Sequence, residues 1–252
     1  MGAIVETLDT DIKRDVVTKI LLRNDSKEAI IKFIEEAQIT GQLEHPNIVP
    51  VYDLGINEEG LVYFTMKRVR GETLLRIIEK LRKKNEAYLL KYPLEDLLEI
   101  ILKVCDGVAF AHQKGVLHRD LKPENIMVGE FGEVLTMDWG LAKVMGKTQA
   151  SEKIESLNVA MITSRNSNVK SKTLEGTIAG TPEYMSPEQA KGHIDQLTVR
   201  SDVYSLGAVL FTALAHRLPV EGKTPQEALK KVVLGELNEI PEEVPPELSA
   251  IV

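Results

Sequence analysis

Cysteine is almost absent from the chain, because only Cys105 occurs among its 252 residues. A single cysteine cannot form an internal disulfide, so the fold does not depend on the oxidising conditions in which disulfides persist. Cys105 lies within an apolar helical pattern, which predicts a small, buried core residue. A reducing compartment is compatible with this composition, and we expect a cytoplasmic location.

An excess of positive charge is also missing. Lysine and arginine number 31 against 38 acidic residues, and the formal net charge is -7. Proteins that bind nucleic acid over a broad surface neutralise its phosphates with clustered lysine and arginine. The composition therefore argues against such a surface, and we expect no nucleic-acid partner.

The sequence contains no long hydrophobic run. The longest one, 203–215, is interrupted by Tyr204, Ser205 and Thr212, and it is shorter than the roughly 20 residues that span a bilayer. The N-terminus also lacks the charged and apolar regions of a secretory signal. We therefore expect neither a membrane span nor a leader in this chain.

The first part of the chain has the pattern of a small sheet with one helix. β-branched and apolar residues predict two strands at 3–8 and 16–22, and two more at 49–54 and 61–66. Between these pairs, Asp25 or Ser26 can cap a helix that runs to about Leu43 and carries apolar residues on one face. The first two strands predict an antiparallel hairpin.

The rest of the chain is mainly helical. Apolar residues recur at helical spacing over 94–112, which follows Pro93 and ends just before Gly115. The segment 201–215 is apolar nearly all round, which predicts a helix buried inside a large domain.

The change from strands to helices predicts a boundary between two lobes at 67–71. We therefore expect an α+β, two-lobed fold with a small antiparallel sheet lobe over 1–68 and a larger helical lobe over 69–252. At 43% hydrophobic and 27% charged residues, the composition is that of a globular protein.

The most informative stretch is His-Arg-Asp-Leu-Lys-Pro-Glu-Asn, residues 118–125. It brings a carboxylate, an ammonium and a carboxamide close together in sequence. Pro123 excludes ordinary helix interior, because proline lacks the amide donor and clashes with the preceding turn. The stretch is therefore predicted to be a catalytic loop.

This loop and several other motifs resemble those of the protein kinase family. The motifs, in chain order, are Val-Val-Thr-Lys ending at Lys19, the helix glutamate Glu36, the loop at 118–125, Asp138-Trp139-Gly140, the segment 180–188 and the segment 201–207. The loop version resembles that of serine/threonine kinases. His-Pro-Asn-Ile-Val at 45–49 and Met-Ser-Pro-Glu-Gln-Ala at 185–190 resemble bacterial members.

The resemblance implies a role for each motif residue in phosphoryl transfer from ATP. Such transfer needs the nucleotide held, its charge neutralised by metal and the accepting hydroxyl aligned. Mg²⁺ prefers oxygen ligands, which Asn125 and Asp138 supply. Asp120 would orient and deprotonate the substrate hydroxyl, with Lys122 and Thr181 beside it. Lys19, held by Glu36, would reach the α- and β-phosphates.

The resemblance also implies where the adenine would lie. Met66 would limit the back of the pocket, and backbone groups of Lys67 and Val69 would hydrogen-bond the base. The side chains at this connector need not match the family, although the pair Lys67-Arg68 is unusual there. We expect ATP and Mg²⁺ as cofactors, and protein substrates as partners.

The sequence departs from the family pattern at both ends. The glycine-rich loop is largely missing and Gly2 resembles its third glycine, so we expect the first strand to be absent and nucleotide binding to be weakened. The last helices of the second lobe are also expected to be absent. Glu188 would then be a buried carboxylate without its usual arginine, which would reduce stability. We expect fusion to further domains in a full-length protein.

A regulatory role is expected for the segment after the Asp-Trp-Gly motif. Residues 146–177 are polar and resemble a long activation loop. Family members with an arginine at the position of Arg119 are commonly activated when a loop phosphate pairs with it. Thr173 and Thr177 are the candidate phosphorylation sites. Trp139 replaces the usual phenylalanine and could shift the switch between active and inactive states.

Two other functions remain open from the sequence. A catalytically impaired, pseudokinase-like scaffold would bind partners without turnover, although it has no physical need for all of the motif residues. Small-molecule phosphotransfer on the same fold is disfavoured by the segment 180–188, which resembles the peptide-facing shelf of protein kinases.

Overall fold

The computed structural model describes residues 2–22, 27–145 and 180–251. The predicted helix caps Asp25 and Ser26 lie outside these residues, as do Thr173 and Thr177. The fold and site given below refer to the described parts of the chain.

A four-stranded antiparallel sheet forms the first lobe, in the order β1-β2-β4-β3. Its strands are β1 (Gly2–Asp9), β2 (Arg14–Leu21), β3 (Val51–Ile56) and β4 (Val62–Lys67). β1 and β2 pair in register from Gly2 opposite Leu21 to Asp9 opposite Arg14. The predicted hairpin and the two later strands are confirmed, with ends shifted by one or two residues.

One helix, α1 (Lys27–Gln42), packs against this sheet. Phe33 of α1 and Phe64 of β4 have ring centroids 5.1 Å apart. They share the core of the lobe with five other buried residues, which are Leu21, Ala37, Val49, Val62 and Met66. The apolar face of α1 that was predicted from sequence therefore holds the helix on the sheet, and this contact places Glu36 near β2.

Residues 68–70 form an extended connector, after which the second lobe begins. Its helices are α2 (Leu74–Arg82), α3 (Glu86–Lys91), α4 (Leu94–Gln113), α5 (Pro187–Ala190), α6 (Val199–Ala215), α7 (Pro225–Leu234) and α8 (Pro246–Ser249). Two small sheets lie between them. β5 (Gly71–Thr73), β7 (Ile126–Gly129) and β8 (Val134–Thr136) form one, and β6 (Val116–Leu117) pairs with β9 (Lys143–Val144). The predicted α+β, two-lobed fold is confirmed.

Helix α6 is the centre of the second lobe. The Thr198 side chain caps it, and the Thr198 amide donates to Ser201 Oγ at 3.1 Å, which completes a capping box. Ser201, Asp202, Ser205 and residues 208–213 are buried, as predicted for a helix inside a large domain. Val203, in contrast, is exposed. The described elements therefore cover α6 on most of its surface but not on all of it.

The main core of the second lobe is formed by α2, α4 and α6 together with β7 and β8. Leu74, Ile77, Val104 and Val209 are fully enclosed there. None of the helices in the described ranges is long and apolar enough to cross a membrane.

A matched pair of substitutions tests this core. Leu74→Ala removes a side chain that is 0% exposed, whereas Leu102→Ala removes one that is 63% exposed. We expect the first change to lower the free energy of unfolding by about 2–5 kcal/mol and the second by less than about 1 kcal/mol. Urea unfolding followed by circular dichroism measures both. Equal effects would contradict the assignment of Leu74 to the core.

Candidate active site

The catalytic loop predicted at 118–125 connects two short strands of the second lobe. β6 precedes it, and the 3-10 turn Pro123–Asn125 leads directly into β7. Proline is favourable at the first position of such a turn, because its missing amide would be unpaired there anyway. The loop is thus a strand-to-strand connection with a rigid end, which agrees with the prediction that it is not helical.

Asp202 of α6 holds the loop in its conformation. The amides of His118 and Arg119 donate to its two carboxylate oxygens at 2.8 and 2.9 Å. Arg119 has a positive φ of 69°, which is a strained backbone conformation for a residue other than glycine. The two hydrogen bonds stabilise this conformation, so the path of the loop depends on a residue far away in sequence.

A third partner of Asp202 is His112 of α4, whose Nε2 lies 2.7 Å from Oδ2. The Asp202 side chain is only 1% exposed. Burial disfavours the ionised carboxylate, but the hydrogen bonds from His112 and the loop amides outweigh it and lower the pKa of Asp202. Sequence reasoning did not identify Asp202 as a site residue. The available signal was a carboxylate inside a helix that was predicted to be buried.

Asp120 lies at the centre of a hydrogen-bonded group. The amide and hydroxyl of Thr181 donate to its Oδ1 at 3.1 and 3.3 Å. Lys122 Nζ lies 2.9 Å from Asp120 Oδ2 and donates to Thr181 Oγ1 at 2.7 Å. The structure therefore brings together Asp120, Lys122 and Thr181, although Thr181 is distant in sequence.

Asn125 connects this group to Asp138. Its side-chain amide donates to the Asp120 carbonyl at 2.9 Å and to Asp120 Oδ2 at 3.3 Å. The amide of Met137 donates to the Asn125 carbonyl at 2.7 Å, which fixes Asp138 next to the loop. Asp138 has a positive φ of 57° and a half-exposed side chain. The oxygen donors of Asn125 and Asp138 fit the preference of Mg²⁺ for oxygen ligands.

Lys19 of β2 forms an ion pair with Glu36 of α1, with Nζ 2.5 Å from Oε1. The same ammonium lies 3.4 Å from Asp138 Oδ1. Burial opposes the charge of Lys19, but Glu36 and Asp138 outweigh it and raise the pKa of the ammonium. Burial also raises the pKa of Glu36 against the attraction of Lys19. Lys19 thus joins the first lobe to the Asp-Trp-Gly motif of the second.

Gly140 is required by the close approach of these groups. A Cβ at this position would lie 3.1 Å from Glu36 Oε2 and 3.2 Å from Asp138 Oδ1. Both contacts are tighter than ordinary van der Waals packing, so a larger residue would push apart Glu36 and Asp138. The glycine of the motif therefore allows the ion-pair cluster to form.

The residues predicted to surround the adenine lie along β4 and the connector. Met66 is buried in the core of the first lobe. The amide of Lys67 donates to the Pro50 carbonyl at 3.1 Å, so this amide is already paired. Val69 lies in the connector, outside the strands. Gly2 lies at the start of β1 opposite Leu21, against the Ile20 carbonyl.

Ile4 is a residue of this cleft that sequence reasoning missed. It lies directly opposite Lys19 in the β1–β2 register, and opposite residues in an antiparallel pair share a face of the sheet. Its side chain is 65% exposed, so an apolar surface is presented beside Lys19. The hairpin register, once assigned, would have identified it.

Trp139 is buried behind the catalytic loop. Its ring centroid lies 4.5 Å from that of His118, and it packs with Ile39 of α1, with Leu43 just after α1 and with Ala111 of α4. Its indole Nε1 makes no hydrogen bond within the described ranges. The tryptophan therefore lies between a helix of the first lobe and one of the second.

The guanidinium of Arg119 is a charged group of the loop that lies unpaired among the described residues. The Arg119 carbonyl accepts from Gln189 Nε2 at 2.7 Å, but the guanidinium forms no ion pair with any residue that the structure describes. Burial lowers the pKa of this guanidinium, against the attraction of Asp202. An anion beside Arg119 would be stabilised.

The expectation for Glu188 is wrong. Glu188 is partly exposed, and Ser201 Oγ donates to its Oε1 at 2.5 Å. Partial burial disfavours its charge, but the bond from Ser201 and two further hydrogen bonds lower its pKa. The helix cap at the start of α6 therefore supplies a hydrogen-bond donor, and no buried unpaired carboxylate results.

An aspartate held beside a lysine, two metal-compatible oxygen donors, and a lysine–glutamate pair of the first lobe that reaches Asp138 of the second are the features expected of a protein kinase. The family model described as "Protein kinase domain" matches residues 1–249, and the chain belongs to this family.

Several curated relatives carry the name serine/threonine-protein kinase. The chain is 37% identical to serine/threonine-protein kinase PknD of Protochlamydia amoebophila over 92% of its length, and 35% identical to PknD of Chlamydia trachomatis serovar L2b over its full length. It is 34% identical to PknD of Chlamydia pneumoniae, also over its full length. The chain spans 23 to 27% of the length of these relatives.

The buried imidazole of His118 predicts a dependence of stability on pH. Burial lowers the pKa of His118 from its usual 6.5, so the unfolded chain binds a proton that the folded chain resists. The free energy of unfolding should therefore be unaffected by this group above pH 6.5 and fall as the pH drops below it, by at most about 1.4 kcal/mol per pH unit.

Urea unfolding at several pH values measures this slope. His118→Phe should flatten it, whereas His193→Phe, at an exposed position, should leave it as it is in the parent chain. An identical slope in the parent and both variants would contradict the assignment of acid sensitivity to His118.

Proposed function

We propose that this chain is the catalytic domain of an ATP-dependent serine/threonine protein kinase, which transfers the γ-phosphoryl group to hydroxyls of protein substrates. The observation that carries the proposal is the hydrogen-bonded group of Asp120, Lys122, Thr181 and Asn125, next to Asp138 and the Lys19–Glu36 pair. Phosphoryl transfer depends on positioning and charge stabilisation more than on covalent chemistry, and this group supplies both.

Asp120 is the proposed base. Its Oδ1 accepts from Thr181 and its Oδ2 lies beside Lys122, so the carboxylate is held in a fixed orientation toward the cleft. A fixed carboxylate within hydrogen-bond reach of a substrate hydroxyl can orient it and accept its proton. Lys122 neutralises negative charge that accumulates next to that hydroxyl.

Lys19, Asn125 and Asp138 are the proposed groups that hold the nucleotide and its metal. ATP supplies the transferred phosphoryl group, and Mg²⁺ neutralises its charge when both are bound. Lys19 would hold the α- and β-phosphates, positioned by Glu36, while Asn125 and Asp138 would provide metal ligands. The adenine would contact the Lys67 carbonyl and the backbone of Val69, with Met66 behind it, and Gly2 would approach the phosphates.

We further propose the extent and context of the domain. The lobe boundary falls at 68/69, within the connector, so that residues 1–68 form the sheet lobe and 69–252 the helical lobe. The curated relatives are about four times as long, which supports fusion to further domains. Protein substrates agree with the serine/threonine-protein kinase names of those relatives, and a cytoplasmic location is part of the proposal.

Regulation through Arg119 is part of the proposal. Its guanidinium is partly buried and has no ion-pair partner among the described residues. A phosphate on Thr173 or Thr177 would provide charge-assisted hydrogen bonds to it and order the segment after Asp-Trp-Gly. Phosphorylation would then raise activity by fixing the loop beside Asp120.

Asp120→Asn tests the proposed base with little change in shape. We expect transfer of labelled phosphate to a generic protein substrate to fall by about 10²-fold or more, because the amide cannot accept the proton. Asp106→Asn, on the exposed face of α4, is the matched control and should retain the parent activity.

A parent chain that binds ATP but transfers no phosphate, with or without the substitution, would overturn the proposal. That result would support the scaffold function instead. Transfer to a small hydroxylated molecule but not to protein would indicate small-molecule phosphotransfer.

Autophosphorylation tests the regulatory proposal. After incubation with Mg-ATP, we expect intact-mass analysis to show added phosphate that is lost in Thr173→Ala/Thr177→Ala and is absent from Asp120→Asn. Arg119→Gln should remove the activation that follows phosphorylation. Phosphate added only at other positions would contradict the choice of these threonines.

A further inference from the structure

The end of β4 and the connector carry three basic side chains, Lys67, Arg68 and Arg70, that the proposed reaction does not use. The pair Lys67-Arg68 is unusual for the family at this position. The expected contacts with adenine use backbone atoms only, so they do not explain these side chains. The three side chains therefore need another explanation, and the structure shows that each of them is paired.

Arg68 joins the connector to both strands of the N-terminal hairpin. Its Nη2 lies 2.8 Å from Glu6 Oε2 in β1, and its Nη1 lies 2.8 Å from Asp15 Oδ2 in β2. Arg70 Nη2 lies 3.2 Å from the same Asp15 oxygen. Four charges thus form one network, in which Arg68 has the least exposed side chain, at 30%.

The network lies on the cleft side of the sheet. Side chains alternate between the faces of a strand, so Asp15, Val17 and Lys19 share one face of β2. In the β1–β2 register, Ile4 lies opposite Lys19 and Glu6 lies opposite Val17. Glu6 and Asp15 are therefore on the face that carries Lys19, at the end of the strands that is nearest the connector.

The opposite side of the connector is tied to the second lobe. Lys67 Nζ lies 3.4 Å from Glu133 Oε1 in the turn before β8. The amide of Glu130, in the same turn, donates to the Arg70 carbonyl at 2.8 Å. Residues 67–70 are therefore held between the hairpin and this turn, and the pairs at Arg68 fix the spacing between the connector and the roof of the cleft.

We propose that Arg68, with Asp15 and Glu6, is a positioning element that sets the width of the adenine slot and makes nucleotide affinity depend on ionic strength. The inference deepens the proposed kinase function and rests on it for the identity of the ligand. Arg68 acts through the connector backbone and touches no reacting atom.

A network is needed for this effect, because a single exposed ion pair contributes little. The planar guanidinium of Arg68 presents its two terminal nitrogens to two carboxylates at once, which the point charge of a lysine cannot reproduce. A slot that is already held at the correct width loses less conformational freedom when the base binds. Salt screens the exposed charges and should widen the range of slot geometries.

Three variants of this chain test the proposal. Asp15→Asn removes the shared carboxylate, Arg68→Lys keeps the charge but not the fork, and Glu99→Gln breaks the exposed Glu99–Lys103 pair of α4 as the matched control. The probe is adenosine, whose Kd is measured by calorimetry. Adenosine is uncharged, so salt acts mainly on the protein.

At about 0.1 M salt, where the Debye length is about 10 Å, we expect Asp15→Asn and Arg68→Lys to raise the adenosine Kd about threefold to fivefold. At about 1 M salt, where the Debye length is about 3 Å, the parent Kd should rise toward the variant values. Glu99→Gln should follow the parent at both salt concentrations. In steady-state kinetics, KM for ATP should rise with little change in kcat.

Hydrogen exchange gives a readout that does not require nucleotide. The amides of residues 67–71 should exchange faster in Asp15→Asn than in the parent, while α4 is unchanged. If one variant loses its cooperative melting transition, Glu6→Gln replaces it, because the Glu6 side chain is 67% exposed.

The outcomes separate the two proposals. A parent chain that binds neither adenosine nor ATP would overturn the proposed function, and the exchange data would then still decide whether the network holds the connector. A parent that binds adenosine with the same Kd and salt dependence as both variants would overturn the positioning role while the kinase function stands.

Discussion

The arrangement of the active site depends on the carboxylate of Asp202. It accepts hydrogen bonds from the loop amides of His118 and Arg119 and from His112, and its burial makes these bonds strong. Asp120 follows directly in the chain, so its position is determined by a residue of the central helix α6. A buried carboxylate of the second lobe therefore organises a second carboxylate that faces the cleft.

The first lobe contributes to the site through a different kind of contact. Lys19 is fixed by Glu36 on one side and lies near Asp138 on the other, and the packing of α1 on the sheet brings Glu36 within reach. The position of the nucleotide-binding lysine thus depends on hydrophobic packing in the first lobe and on the backbone geometry of Asp138 in the second. The hydrophobic core of the first lobe and the positive-φ backbone of Asp138 together position one cluster of charges.

Most of the fold could be predicted from sequence, because the patterns concerned are local. Periodic apolar residues and recognisable ends mark the hairpin, α1, α4 and α6. The family motifs then indicated which of these elements belong to each lobe. The helices α2, α3 and α7 were not predicted individually from the sequence, since their stretches are short and contain several charged residues. Strand ends shifted by one or two residues because pairing with neighbours, and not propensity, decides where a strand stops.

The site was predicted less completely than the fold. Lys19, Glu36, Asp120, Asn125 and Asp138 could be named because each belongs to a motif, but Asp202, Ile4 and Arg68 act through contacts with residues distant in sequence. Glu188 was misjudged for the same reason, since the partner that satisfies it, Ser201, belongs to a helix cap. Pairings of this kind depend on tertiary structure, which the spacing of residues along the chain does not reveal.

Trp139 is the only tryptophan in the chain, and it is buried against His118 at the junction of the two lobes. The ultraviolet emission of this protein above the tyrosine background therefore originates from one indole beside the catalytic loop. Any change in polarity or in quenching by the neighbouring imidazole would alter the spectrum of the whole molecule. The replacement of phenylalanine by tryptophan in this motif thus gives the chain a built-in optical label, whose signal reports the state of the site without chemical modification.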